Sequence, residues 1–255
     1  MAVFIEEFAV AEAGSGPYSL TSGPDGALWF TMVHGGSIGR LGPGGEPSTH
    51  QLDPECGPTI IVVGTDGALW FTEYRAHRIG RIALDGEVTE FALPTTRCGP
   101  FGIAAGPDGA LWFTLNQANA IGRIGMDGAV TLHALPTDSA APVGIAAGHD
   151  GALWFVEIGA GQIGRITTDG RTTEFPLPDR TSRPHAITPD STGALWFTEW
   201  ATNRVGSIML DGEITVHELP TAGSEPHGIS LGRDGSVWAA LETGALVRVS
   251  TRPGA

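Results

Sequence analysis

Short apolar runs, separated by pairs of Gly, Asp and Pro, organise this chain: "ALWFT", then "IGRI", then "VTEFALP". Asp-Gly and Gly-Pro pairs of this kind mark turns. No stretch keeps helical spacing of apolar positions over a useful length, so strands are expected throughout. The runs also fall on a grid. Trp29, Trp70, Trp112, Trp154, Trp196 and Trp238 are separated by 41, 42, 42, 42 and 42 residues, and Trp200 alone lies off it. Text recurs around each gridded tryptophan, from "GPDGALWFT" in the first unit to the weaker "GRDGSVWAA" in the last.

A period near 42 with several short strands per unit is the signature of a β-propeller. Each unit supplies four strands. An inner strand follows an Xaa-Pro-Xaa start, as in "FGIAAG"; "ALWFTE" is the second, "IGRI" the third and "VTEFALP" the outer one. Asp-Gly between apolar runs suits hairpin turns that need φ > 0. The gridded tryptophans are expected to pack between adjacent sheets as core. The sixth unit stops at "VRVSTRPGA" without an outer strand, and "IEEFAVA" near the N-terminus looks like the missing one. The expected fold is therefore an all-β propeller of six four-stranded blades in a single domain, 1–255, with residues 4–10 completing the last blade. A closed ring leaves no sheet edge bare, so a monomer is expected.

Composition narrows the partners. The 255 residues include 38 Gly and 18 Pro, too many for a helical protein. The net charge of −14 argues against nucleic acid and anionic membranes, which need a basic face. "MAVFIEEFAV" lacks the pattern of a signal peptide, and no run approaches a membrane span of ~20 apolar residues, so a soluble, cytoplasmic protein is expected. Cys56 and Cys98 occupy equivalent places in neighbouring units, and two cysteines make no disulfide framework.

Where the units disagree, function is sought. Aligned on Pro17, Pro58, Pro100, Pro142, Pro184 and Pro226, the next residues are Tyr18, Thr59, Phe101, Val143, His185 and His227. The preceding residues are Gly16, Gly57, Gly99, Ala141, Arg183 and Glu225. Inner strands line a propeller's channel, so these positions are expected to ring one mouth of it. Glu225 and His227 are two apart, which in an extended strand puts both on one face, and Pro226 favours extension of Glu225. A carboxylate beside an imidazole suits a general base tuned by its neighbour or by a metal. In the sixth unit Glu242 lies four after the gridded Trp, whereas Glu73, Glu157 and Glu199 lie three after, and a deletion beyond it is expected to re-aim it. Two carboxylates suit a hard cation such as Mg2+.

With these residues in view the chain resembles the virginiamycin B lyase family along essentially its whole length. "RPHAIT", "LWFTEW", "EPHGIS" and "APVGIAAGHDGALWFVEIGAGQIGRITTDG" carry the resemblance. It implies a Mg2+-dependent lyase that opens the ester of streptogramin B cyclic depsipeptides by elimination and so confers resistance to them. It implies His227 as general base, Glu225 and Glu242 as Mg2+ ligands, His185 as a substrate-binding residue, and Tyr18 as a further contact. The family pattern has seven blades, against six repeats counted here. A metal-dependent lactone or ester hydrolase and a non-catalytic binding propeller stay open beside the lyase.

Other residues receive structural readings. Glu73, Glu157 and Glu199 are expected to bond backbone or arginine within the repeat, and Arg183 to pair with an acid. His34, His50, His77, His133, His149 and His217 are expected on the solvated surface. Trp200 either walls a substrate cleft or caps a hairpin.

Overall fold

The structure, a computed structural model, describes Gly14 and residues 16–250. Its six antiparallel sheets span residues 17–51, 58–92, 100–134, 142–176, 184–218 and 226–249, numbered here sheets 1 to 6. Within each, the strands run in sequence order. Sheets 1 to 5 have four strands, and sheet 6 has three among the described residues. The strand expected at residues 4–10 lies outside the described residues. The chain divides into two compact units, Met1–Pro100 and Phe101–Ala255. The first holds sheets 1 and 2; the second holds sheets 3 to 6, less Pro100. No helix among the described residues is long and apolar enough to cross a membrane.

One polar knot explains why "DGALW…IGR" recurs. Asp25, Asp66, Asp108 and Asp150 each accept the indole N–H of their own sheet's tryptophan at 3.0 to 3.1 Å. The second oxygen of each accepts Nε–H of the third-strand arginine, Arg40, Arg81, Arg123 or Arg165, at 2.6 to 2.9 Å. A single carboxylate thus ties the turn, the second strand and the third strand together. In sheets 1, 2 and 4 the guanidinium also lies over the indole, 5.7 to 6.0 Å from its centroid.

The glycine of "IGR" has a steric cause. A Cβ on Gly39, Gly80, Gly122 or Gly164 would lie 2.1 Å from the ring of Phe30, Phe71, Phe113 or Phe155 on the paired strand. Sheet 6 shows the converse. Ala239 replaces the phenylalanine, and its cross-strand partner is Val247 instead of glycine. The departures "WAA" and "LVRV" are therefore one compensated swap of large and small residues.

Trp29, Trp70, Trp112, Trp154 and Trp196 are buried core, as expected, whereas the sixth gridded tryptophan, Trp238, is exposed and corrects that expectation for the last unit. Each of the five buried ones stacks on an outer-strand ring, from His50, Phe91, His133, Phe175 and His217 respectively. Three of the histidines expected to be solvated thus serve as aromatic plates. An imidazole and a phenyl ring are interchangeable there because the position needs only a flat face.

Within each unit, adjacent sheets join by a repeated rule. Trp29 and Ile38 of sheet 1 share a core with Ile61, Leu69 and Phe71 of sheet 2. The same positions make the same cluster from sheet 3 to 4, from 4 to 5 and, with smaller side chains, from 5 to 6. Both cysteines are free and buried, and burial pushes the Cys56 thiol up to about 12.

Glu73, Glu157 and Glu199 are wholly buried at the end of the second strand. Glu73 accepts Arg78 Nε–H at 2.8 Å, the arginine partner expected, whereas Glu157 accepts Gln162 Nε2–H at 2.7 Å. Glu199 accepts the Thr202 hydroxyl at 3.1 Å. Burial pushes the carboxyls of Glu73 and Glu157 up to about 7, from an ordinary 4.5. Between those values the folded chain binds more protons than the unfolded one. These two acids therefore make stability fall as pH rises from about 4.5 to 7, and level off above. Glu157→Gln is expected to gain ~1–3 kcal/mol over wild type between pH 5 and pH 8. Urea unfolding of both proteins at the two pH values measures this; an unchanged difference would refute the assignment.

Candidate active site

The residue before each opening proline has a left-handed backbone. Its φ is +67° at Gly16, +60° at Gly57, +55° at Gly99, +50° at Ala141, +51° at Arg183 and +45° at Glu225. Glycine takes this conformation freely, while an L side chain gives up about 1 kcal/mol. The first three units use glycine, and the later ones accept the strain. This corrects the expected extension of Glu225. The turn into the first strand demands φ > 0 in every unit, and that demand overrides the preference set by the proline. Glu225 is exposed and precedes the strand Pro226–Leu231, so strand alternation does not place it beside His227.

His227 opens that strand, where the pairing slips between Pro226 and Ile229. Such a bulge re-aims the side chains around it. The His227 carbonyl accepts the hydroxyl of buried Thr198 from sheet 5 at 2.8 Å, which fixes the strand's height against its neighbour. His227 Nε2 faces Glu242 Oε1 at 3.2 Å.

Glu242 reaches this place without any re-aiming. Leu241 pairs with Pro226 just as Glu199 pairs with Pro184 one sheet earlier. Glu242 therefore follows its strand as Trp200 follows Glu199, and Leu241 takes the buried acid's position. The shortening of this unit falls in the turn after Glu242. The Glu242 amide donates to Ser224 O at 2.9 Å and leans on Glu225 O at 3.4 Å, so the backbones of the two acids are neighbours.

His185, second in the strand Pro184–Pro189, meets His227 edge to face with centroids 4.8 Å apart. Phe101 meets its ring from another side, 6.1 Å away. Burial holds His185 down to about 4, and the neighbouring His227 adds to the depression. Its Nδ1 is buried with no hydrogen-bond partner among the described residues. A neutral imidazole with an unused nitrogen is the result.

Trp200 opens a 3-10 turn, Trp200–Thr202, and its indole lies 6.1 Å from the His227 ring. Trp200 thus walls the histidine pair. The ion pair expected for Arg183 is not among those of the described residues; its guanidinium instead lies over Trp200, 5.4 Å from the ring centroid. Tyr18 belongs to the first compact unit, on the strand Pro17–Ser22, and is exposed.

Sequence reading missed Asn203. Its Oδ1 accepts the Ser224 amide at 2.8 Å and its Nδ2 donates to Thr221 O at 2.7 Å, pinning the loop that presents Glu225. The signal was available, because Asn119 does the same for Ala141 and Thr137 at the equivalent position two repeats earlier. Both asparagines are left-handed, at φ +54° and +59°, a conformation that asparagine tolerates.

Sheets of this topology and period make the fold a six-bladed β-propeller, with an imidazole–carboxylate pair at the start of its last blade. The profile of the virginiamycin B lyase family matches residues 3–115 and 103–249, and the chain belongs to that family. Over 51 residues it is 61% identical to virginiamycin B lyase of Saccharopolyspora erythraea, a stretch covering 20% of this chain and 17% of that protein. Crystalline virginiamycin B lyase from Staphylococcus aureus superposes with a TM-score of 0.90 at 42% identity, covering 93% of this chain and 81% of that one. A catalytically inactive histidine-to-alanine form of the same lyase, crystallised with quinupristin, superposes with a TM-score of 0.89 at 43% identity, covering 92% and 80%.

Two outcomes are expected here. The His185 ring should stay neutral as pH falls through 5 and titrate near 4, read by nitrogen-15 NMR with His185→Gln for assignment. A midpoint at the ordinary 6.5 would show the ring to be solvated. Asn203→Ala should loosen the Thr221–Glu225 segment, raising amide exchange there ~10-fold or more while the exchange of sheets 3 and 4 is unchanged.

Proposed function

We propose that this chain is a Mg2+-dependent lyase that linearises streptogramin B-type cyclic depsipeptides by elimination at the threonine ester. The observation that carries the reading is the His227–Glu242 pair at 3.2 Å with neutral His185 against it, in a member of this family.

The residues suit the chemistry. With Glu242 accepting the proton on Nε2, the His227 ring presents Nδ1 as the basic nitrogen. That nitrogen takes the threonine α-proton, and Glu242 steadies the imidazolium that forms. The electron pair of the broken C–H bond becomes the Cα–Cβ double bond. The Cβ–O bond breaks, and the ester carboxylate departs with its electrons. No water is consumed and no nucleophile is needed. His185 stays neutral at working pH and offers a hydrogen bond to the substrate, while Trp200 and Phe101 give the site apolar walls. Tyr18 is proposed as a further substrate contact.

The donor set fits Mg2+, which takes one or two carboxylates and keeps several waters. Glu225 and Glu242 are backbone neighbours, and no arginine pairs with either among the described residues. Glu242 also has a second oxygen beyond the one facing His227. These two side chains would hold the ion, which supplies positive charge against the developing enolate. The substrate is a small molecule, and neither nucleic acid nor membrane enters the reading.

Incubation with a streptogramin B and Mg2+ should yield a linear product of unchanged mass with a new conjugated double bond, read by mass spectrometry and ultraviolet absorbance. Gain of one water would establish hydrolysis instead, and no turnover would favour a binding propeller. His227→Ala should lower kcat by ~10²–10⁴-fold with an unchanged fold, and Glu225→Gln or chelation should raise the Mg2+ requirement or abolish turnover. Full activity of His227→Ala would refute the base assignment.

A further inference from the structure

His185 and His227 sit where the pairing of their own sheets does not hold them. In sheet 5 the ladder steps from the pair Pro184 and Glu199 to the pair Ile187 and Phe197. In sheet 6 it steps from Pro226 and Leu241 to Ile229 and Ala239. His185 and Ala186 fall in the slipped stretch of one sheet, His227 and Gly228 in that of the other. Backbone groups left out of a ladder need other partners, and a bulge re-aims its side chains. Something outside the ladders must set where these two rings meet.

Thr198 supplies that hold. It lies on the second strand of sheet 5, Leu195–Glu199, and is completely buried. Its Oγ1 accepts the Ala186 amide N–H at 3.1 Å and donates to the His227 carbonyl at 2.8 Å. One hydroxyl thus ties the amide directly after His185 to the carbonyl of His227. The two rings meet with centroids 4.8 Å apart and planes at 77°.

The same bridge occurs elsewhere as plain scaffold. Thr31 accepts the Ser19 amide and donates to Thr59 O, and Thr114 accepts the Gly102 amide and donates to Val143 O. Val156 takes the position in sheet 4, where Trp154, Val156, Ile187, Leu195 and Phe197 still form one core with sheet 5. The hydroxyl is therefore not needed to join two sheets. Val156 also has nothing to donate to the His185 carbonyl, so this device links His185 forward to His227 and not back to sheet 4.

We propose that Thr198 is a positioning residue of the candidate site, its hydroxyl setting the distance and angle at which the His185 ring meets the His227 ring. As base, His227 must aim one nitrogen at the substrate while His185 packs edge-on against it, and a small turn of either bulge removes that alignment. Misplacing a reacting group by about 1 Å costs up to ~10²-fold in rate. The kinetic consequence rests on the lyase reading, whereas the ring geometry does not.

Proton NMR with histidine-selective labelling reads the geometry without substrate. Wild type is expected to show a cross-peak between the His185 and His227 ring protons. Thr198→Val keeps the side chain's shape, as Val156 does one sheet earlier, and removes both bonds. It should weaken that cross-peak roughly 3-fold or more, and lower kcat on a streptogramin B by ~10–100-fold with KM within about 3-fold. Thr198→Ser restores the hydroxyl and should return both readings to within about 3-fold of wild type. Thr31→Val loses the same two bonds between sheets 1 and 2. It should lower Tm about as much as Thr198→Val does, by roughly 2–6 °C, and leave the cross-peak unchanged. Thr198→Ala serves if the valine variant misfolds. The proposal is overturned by a missing cross-peak in wild type, by an unaltered cross-peak or wild-type kcat in Thr198→Val, or by equal weakening in Thr31→Val. Cross-peaks that behave as expected in a protein with no turnover remove the lyase reading and leave the positioning of the rings standing.

Discussion

The bidentate aspartate at the first turn of sheets 1 to 4 is the interaction on which the rest depends. It joins the turn, the buried indole and the third-strand arginine, and so holds the tryptophan at one height in these four sheets. A fixed indole lets the next sheet present a leucine and a phenylalanine to it without adjustment. Each sheet then offers the same apolar face to its successor, and the glycine opposite the phenylalanine keeps the two strands close. The repeat is conserved within the chain because each of its letters answers to a contact in this arrangement.

The candidate site uses the same frame with few changes. The start of every first strand is a left-handed turn followed by proline and then a side chain aimed by a bulge. Units that need nothing there keep glycine and a small or apolar residue. Sheets 5 and 6 place histidine at the aimed position, and the frame brings the two rings to 4.8 Å. Chemistry is therefore obtained by changing residues at a position already fixed by packing. Glu242 and Trp200 show the same economy, since one strand-end position carries an acid in one sheet and an indole wall in its neighbour.

Burial separates two kinds of carboxylate. Glu73, Glu157 and Glu199 sit inside the sheets with one oxygen satisfied and the other without a partner among the described residues, and desolvation raises them. Glu225 and Glu242 stand outside the sheets, and Glu242 faces His227. Glu199 and Glu242 are one residue apart in the alignment of their strands, and that single step moves a carboxyl from the core to the site.

The sequence by itself determined the all-β class, the six units and five of the six gridded tryptophans as core, because a period near 42 with turn pairs is the signature of stacked four-stranded units. It also singled out His185, His227 and Glu242, since departures from a repeat are visible in the text. Tertiary structure decided what alternation and local preference could not. Glu225 is left-handed because the turn is imposed by the sheet that follows it, not by its neighbour in sequence. Arg183 lies on Trp200 because the pairing of Pro184 with Glu199 sets the residues flanking that pair side by side. His50, His133 and His217 became stacking plates because a tryptophan on another strand faces them.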